Sequence, residues 1–359
     1  MRQTKDLFLM LPTALLVIAM LCSATASANA ACVCAVDAPK AKSCLTGSTR
    51  VLKPNFSMFR YLATKYDAVN AYLTALASRA TEHGTHKSQS ERKFQTAACR
   101  MFLRWGFDRV EFLNNRSTST QGVLAFHRKF TLLAFRGSEL GRKWFTGPLT
   151  RPKLQRESLI SMFKDWVTTD ANMKQVPAGR RLGNRGKIHR GFKKAAESVL
   201  DSLIRSIQKS GRKQNPIFVT GHSLGGAVAT LTALGLKIAR LPVKALYAHA
   251  PPRVGDLAFR TSFLRSGIKS FRTINQRDPI PVFPPDIIVR RVIPTPYVDS
   301  FTQTLAFLAP NGRIRLNPNA DLMKRERAPF LNPMDHDVAT YVSRLRLGVP
   351  KKLRSRLPK

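Results

Sequence analysis

The chain has 359 residues, 43% of them hydrophobic, which is ample for the packed core of one large domain or two. Its 60 Lys and Arg against 21 Asp and Glu give a formal net charge of +39, the sign of a chain that meets anions. A nucleic-acid binder would add zinc-finger spacing, an RNP-like aromatic motif or a basic heptad region; the sequence has none of these, so no nucleic-acid partner is expected.

The first thirty residues read as a secretory signal. Arg2 and Lys5 precede the apolar run "LFLMLPTALLVIAML", and small residues follow with cleavage options near Ala28 or Ala30. The run is interrupted by Pro12 and falls below the ~18 apolar residues of a spanning helix, so removal is expected. Residues 31–359 are expected to form a single domain in a secreted or extracytoplasmic protein. Of the cysteines beyond the signal, Cys32, Cys34, Cys44 and Cys99 make an even set, consistent with one or two disulfides of open pairing. No cysteine–histidine cluster has zinc-site spacing, so neither metal nor cofactor is expected.

Phe59, Leu62, Tyr66, Val69, Leu73 and Leu76 recur at helical spacing and predict a core-facing helix as the lead of the domain. Residues 81–97 are polar and read as loop. "RVEFLNN" and "GVLAFHRKFTLLAFRGS" alternate like adjacent strands. Residues 139–164 interleave Trp144, Phe145 and Phe163 with Arg142, Lys143 and Arg156, the composition of a lid or an interfacial loop. "HRGFKKAAESVLDSLIRSIQKSG" is an amphipathic helix closed by Gly211. Strands then alternate with helices to about residue 280, which predicts a mostly parallel sheet with helices on both faces and its site at the strands' carboxyl ends. The chain ends in a basic tail, "KKLRSRLPK".

The most informative stretch is "IFVTGHSLGGAVATLTALGL". A β-branched strand turns directly into an Ala- and Leu-rich helix through Gly221-His222-Ser223-Leu224-Gly225. Glycines two residues either side let strand and helix approach. The serine is then held at the tip, at a helix N-terminus that favours negative charge. Those are the needs of a nucleophile whose attack creates an oxyanion. A serine hydroxyl needs a base, and the base an orienting acid. In the order Ser, acid, His, only His249 and His336 follow Ser223, and His249 leaves no room for an acid loop, so order favours His336. Asp256, Asp278, Asp286 and Asp299 lie between. Asp278 follows a strand and precedes "PIPVFPP", a stiff loop suited to a fixed carboxylate. Asp256 looks like a helix N-cap.

"FRGS", "DW" (Asp165, Trp166), "HRGF", "GHSLGG", "PRVGD", "RDPIPVFPP" and "DHDVATYV" occur in this order over roughly residues 100–345. The chain here resembles the fungal-type, or class 3, lipases. The resemblance implies an α/β-hydrolase fold, with Ser223 as nucleophile, Asp278 as acid and His336 as base. It also implies Ser138 and the N–H of Leu224 as oxyanion donors, and structural roles for His189 and His222. Two departures stand out: Pro251 replaces a small residue, and residues 139–164 separate "FRGS" from "DW". The expected function is a secreted serine ester hydrolase, a lipase on acylglycerols or phospholipids at an anionic membrane or cell-surface interface. The alternatives are an esterase on soluble or cell-wall esters and a silent anionic-surface binder.

Overall fold

A computed structural model of the protein describes residues 33–35, 55–82, 91–137, 174–284, 297–298, 303–309, 312–319, 321–322 and 332–357. The chain divides into residues 1–30 and a second compact unit, Ala31–Lys359, which holds every described residue. The expected signal segment and the lid candidate at 139–164 lie outside the described residues. Among the described residues no helix is long and apolar enough to cross a membrane.

Among the described residues nine strands form the main sheet, in the order β1-β2-β3-β4-β7-β8-β9-β10-β11. They are β1 (Val33–Ala35), β2 (Arg109–Asn115), β3 (Thr120–Phe126), β4 (Thr131–Phe135), β7 (Ile217–His222), β8 (Val243–His249), β9 (Lys269–Asn275), β10 (Thr304–Leu308) and β11 (Ile314–Leu316). A small separate sheet pairs β5 (Gln175–Pro177) with β6 (Lys187–His189). The middle of the main sheet, β4-β7-β8-β9-β10, is parallel. The flanking β1-β2-β3-β4 and β10-β11 pairs are antiparallel. Connection length explains the difference: residues 116–119 and 127–130 join β2-β3-β4, too short for a crossover, while α-helices bridge β7, β8 and β9.

Alternation along the central strands feeds two cores. In β7, Phe218 faces one apolar cluster with Tyr247 of β8, while Ile217 and Val219 face the other with Leu246. The first face is covered by α1 (Ala68–Glu82), α2 (Glu91–Arg104) and α6 (Val338–Gly348); the second by α3 (Arg190–Lys209), α4 (Leu224–Ile238) and α5 (Leu257–Arg265). A last short helix, α7, spans Lys351–Arg354. This is the expected layered arrangement, continued by β10 and β11 beyond the strands read from the sequence.

Two elements depart from the sequence reading. The lead helix begins at Ala68, not near Phe59, and Asn55–Met58 form a separate 3-10 turn. Asp67 stops it, its carboxylate accepting the N–H of Asn70 at 3.0 Å as an N-cap does. Phe59 is buried ahead of that cap and Leu62 is 72% exposed, so the apolar spacing there came from two different environments. Residues 91–97, read as loop, open α2, which buries Ala98, Cys99 and Phe102. Cys99 is disulfide-bonded, as expected of one member of the cysteine set.

Asp256 is the predicted N-cap of α5. Its carboxylate accepts Phe259 N–H at 2.8 Å and also Lys187 N–H at 2.9 Å, tying β6 to α5. Asp256→Ala should therefore lower stability by about 1–2 kcal/mol, measured by urea unfolding. A variant as stable as the parent would show that neither bond contributes.

Candidate active site

The turn from β7 into α4 is as tight as the glycines require. Ser223 sits at φ 56, ψ −129, a strained backbone for an L-residue. A Cβ on Gly221 would lie 2.2 Å from the carbonyl oxygen of Gly225. A Cβ on Gly225 would lie 2.6 Å from the carbonyl oxygens of both Phe135 and Arg136. The elbow is thus closed on itself and pressed against the exit of β4. Its conformation is held by Ser223 N–H donating to His249 O at 2.9 Å and Gly226 N–H donating to Ser223 O at 2.9 Å. Pro251, the departure in the "HAPPRVG" stretch, packs 3.0 Å from the Cβ position of Gly226.

Residues from three chain regions converge there. His336, on a 3-10 turn just before α6, places Nε2 2.8 Å from Ser223 Oγ. Its Nδ1 lies 2.9 and 3.0 Å from the two carboxylate oxygens of Asp278. The acid is fully buried and the histidine 13% exposed at its side chain. The pairing selects the tautomer: Nδ1–H donates to the carboxylate, leaving Nε2 to accept from the serine hydroxyl. Asp278 follows β9 and leads into the 3-10 turn Ile280–Val282, whose Ile280 N–H donates to Asp278 Oδ1 at 2.9 Å.

Asp278 is held by residues that sequence reasoning missed. Tyr341 of α6 donates its hydroxyl to Asp278 Oδ2 at 2.7 Å and accepts Asn275 N–H at 2.8 Å. Burial, then the neighbouring Asp278 charge, push the phenol pKa well above its ordinary value, so it stays a donor. Asn275 donates its side-chain amide to Asp335 O at 2.8 Å and accepts from Arg344 at its side-chain oxygen. Arg344 also reaches Asp335 at 3.3 Å. The strand end before the acid and the residue before the base are thereby joined. Two buried arginines fasten the acid loop from behind: Arg253 donates to Pro284 O at 2.7 Å and Arg272 to Pro281 O at 2.6 Å. No sequence spacing marks Tyr341 or Asn275. The only cue is that both flank motif residues, one in "DHDVATYV" and one at the last position of β9.

His189, His222 and His249 lie around this arrangement without joining it. His189 caps α3, its Nδ1 accepting from Gly191 N–H and Phe192 N–H at 3.1 and 3.3 Å. His222 lies with its ring 4.7 Å from that of His336 and 5.4 Å from that of Tyr341. His249 is buried beneath the elbow, its Nε2 3.1 Å from Thr74 Oγ1 of α1. Burial lowers the pKa of both His189 and His249 to about 3, aided at His249 by the charge of His222.

Leu224 is the first residue of α4, where backbone N–H groups lack intrahelical partners and the helix dipole is positive. Ser138, the other expected oxyanion donor, lies outside the described residues, as do Asp165, Trp166, Asp286, Asp299, His83 and His86. No group of His, Cys, Asp or Glu among the described residues has the arrangement of a metal site.

A serine at a strained strand–helix elbow, bonded to a histidine and through it to a buried aspartate, has the geometry of the hydrogen-bonded triad that serine hydrolases use. The family model of the class 3 lipases matches residues 132–287, from β4 through the acid loop. Over this stretch, less than half of the chain, it is similar to the class 3 lipases, and its fold is the α/β-hydrolase fold. It is 36% identical over 132 residues to a lipase of Rhizomucor miehei, covering 35% of each chain. It is 31% identical over 179 residues to the secreted mono- and diacylglycerol lipase A of Penicillium cyclopium, covering 48% of this chain and 50% of that one. The matched stretches thus span between a third and a half of these curated relatives. A solved triacylglycerol lipase, in which a serine protease triad forms the catalytic centre, superposes with a TM-score of 0.52 at 21% identity over 74% of this chain and 90% of its own.

Proposed function

We propose that the protein is a secreted serine carboxylic-ester hydrolase, a lipase that cleaves acylglycerols or phospholipids through an acyl-enzyme. The observation that carries the reading is the unbroken chain Asp278–His336–Ser223 at the elbow. Ser223 Oγ attacks the ester carbonyl while His336 Nε2 takes its proton. Asp278 stabilises the imidazolium that forms, kept in place by Tyr341. The oxyanion falls at the start of α4, where the N–H of Leu224 and Ser138 are its proposed donors. His336 returns the proton to the departing alcohol, and a water repeats the sequence on the acyl-enzyme. Matched relatives that are named as lipases, one of them as secreted, support both substrate and export.

A panel of p-nitrophenyl esters and emulsified acylglycerols tests the reading. Turnover of both classes is the expected result. Turnover of soluble esters alone would make the protein an esterase, and turnover of neither would leave a surface binder. In the same panel, Ser138→Ala should lower kcat more than it changes KM, by roughly 2–4 kcal/mol in barrier, and Ser138→Thr should retain activity. An unchanged Ser138→Ala would remove that residue from the oxyanion site.

A further inference from the structure

The triad occupies the carboxyl ends of the parallel strands, and the opposite edge of the sheet has a character of its own. Four loops enter β4, β7, β8 and β9 there, and these strands are neighbours in the sheet. The loops read "HRK" (127–129), "KSGRK" (209–213), "KIAR" (237–240) and "RSGIK" (265–269). Together they hold nine Lys or Arg and no Asp or Glu, and all nine but Arg212 are exposed. Arg212 is paired with Asp108 at 2.9 Å. With strands ~4.8 Å apart, the row is about 14 Å from first strand to last.

The loops into β4, β7 and β8 are fastened to one another, and the start of β9 is held by its pairing with β8. Asn215 donates its amide to His127 O at 3.2 Å and Arg128 O at 3.1 Å, Thr131 N–H donates to Pro216 O at 3.0 Å, and Ile217 N–H donates to Pro242 O at 2.9 Å. The charges therefore sit on a fixed frame. Like charges this dense repel and destabilise the folded chain, a cost that an anionic partner removes.

We propose that this basic row is a docking surface for an acidic polysaccharide, separate from the ester-cleaving site. A bilayer seated here would leave the triad facing away from it. Nucleic acid would call for exposed rings to stack on bases, yet Phe130 is buried and the ring of Tyr61 is covered by Lys129 at 5.6 Å. What the row offers is a line of charge across four neighbouring strands, which suits a linear polymer read by its charges alone. The choice of polysaccharide rests on the reading of the chain as exported; the row itself does not.

The test is binding of the full chain to immobilised heparin and to polygalacturonate over a salt series. One variant carries Lys129→Glu, Lys213→Glu, Arg240→Glu and Lys269→Glu. A control carries the same charge change at exposed Lys174, Arg180, Arg185 and Lys194, away from the row. A third variant with Gln at the four row positions, checked by thermal melting, serves if the first does not fold. The row variants should bind at least about tenfold more weakly at physiological salt, with a shallower salt dependence, while the control stays within about threefold of the parent. Turnover of a soluble ester should be unchanged in all. Equal loss in row and control variants would mean that the net charge acts diffusely and would overturn the proposal. So would absence of heparin binding by the parent, or tighter, row-dependent binding to double-stranded DNA or to anionic vesicles. A parent that binds heparin through the row yet cleaves no ester would sink the hydrolase reading and leave this one standing.

Discussion

Ser223→Ala and His336→Ala will each lower ester turnover by about 10⁴- to 10⁶-fold while leaving the thermal melt close to that of the parent. The size follows from the way the groups act as a unit: without the histidine the hydroxyl keeps its proton, and without the hydroxyl there is nothing to acylate. The near-unchanged melt follows from the strain at Ser223, whose φ of 56 is imposed by Gly221, Gly225 and the backbone bonds to His249 and Gly226 rather than by the side chain. An organophosphate should label Ser223 in the parent and in Tyr341→Phe, but not in Ser223→Ala. Tyr341→Phe should retain KM and lose kcat by a smaller factor, because the acid keeps Ile280 N–H but loses its phenol donor. Full activity in Ser223→Ala would place the chemistry elsewhere.

The second large effect is on stability in acid. His189 and His249 are buried and their pKa values fall to about 3, whereas an unfolded histidine titrates near ~6.5. Below ~6.5 the unfolded chain takes up protons that the folded chain refuses. The stabilising contribution is therefore full above ~6.5 and is lost as pH falls toward 3. Each histidine costs up to ~1.4 kcal/mol per pH unit in that window, so the pair costs up to ~2.7. From pH 6.5 to 4.5 the pair would cost about 5 kcal/mol, the lower end of a typical total of ~5–15 kcal/mol, so a stability near that end would be exhausted between about pH 4 and 5. The site would be lost with the fold, since His249 O holds the elbow. Urea midpoints from pH 7.5 to 4.5 measure the slope. His189→Asn keeps a capping side chain and should roughly halve it. An identical slope in a variant lacking both histidines would show that other groups govern acid unfolding.

Much of the arrangement was legible because its cues are local turns and the order of motifs along the chain. Gly221 and Gly225 follow from one turn, and the order Ser223, Asp278, His336 from one chain direction. The choice of Asp278 over Asp256 needed only a strand end before the first and a helix start after the second. What could not be read was contact between distant residues that no motif order links. Tyr341 reaches Asp278 across 63 positions, and Asn275 reaches Asp335 across 60, and nothing in the local pattern of either end names the other.

The lead helix shows the same limit on a smaller scale. Apolar residues at helical spacing are produced both by a helix face and by an irregular segment that dips into the core. Asp67 and the burial of Phe59 against Phe130 at 4.6 Å separate the two cases. The sequence by itself determined the elbow, the serine at its tip and the alternation of strand and helix, because each depends on backbone sterics and periodicity within about twenty residues. Only the tertiary structure decided which helix holds Asp278, which arginines fasten its loop, and that the basic residues of four loops line one edge of the sheet. Those depend on strand order, which brings together positions that the chain keeps apart.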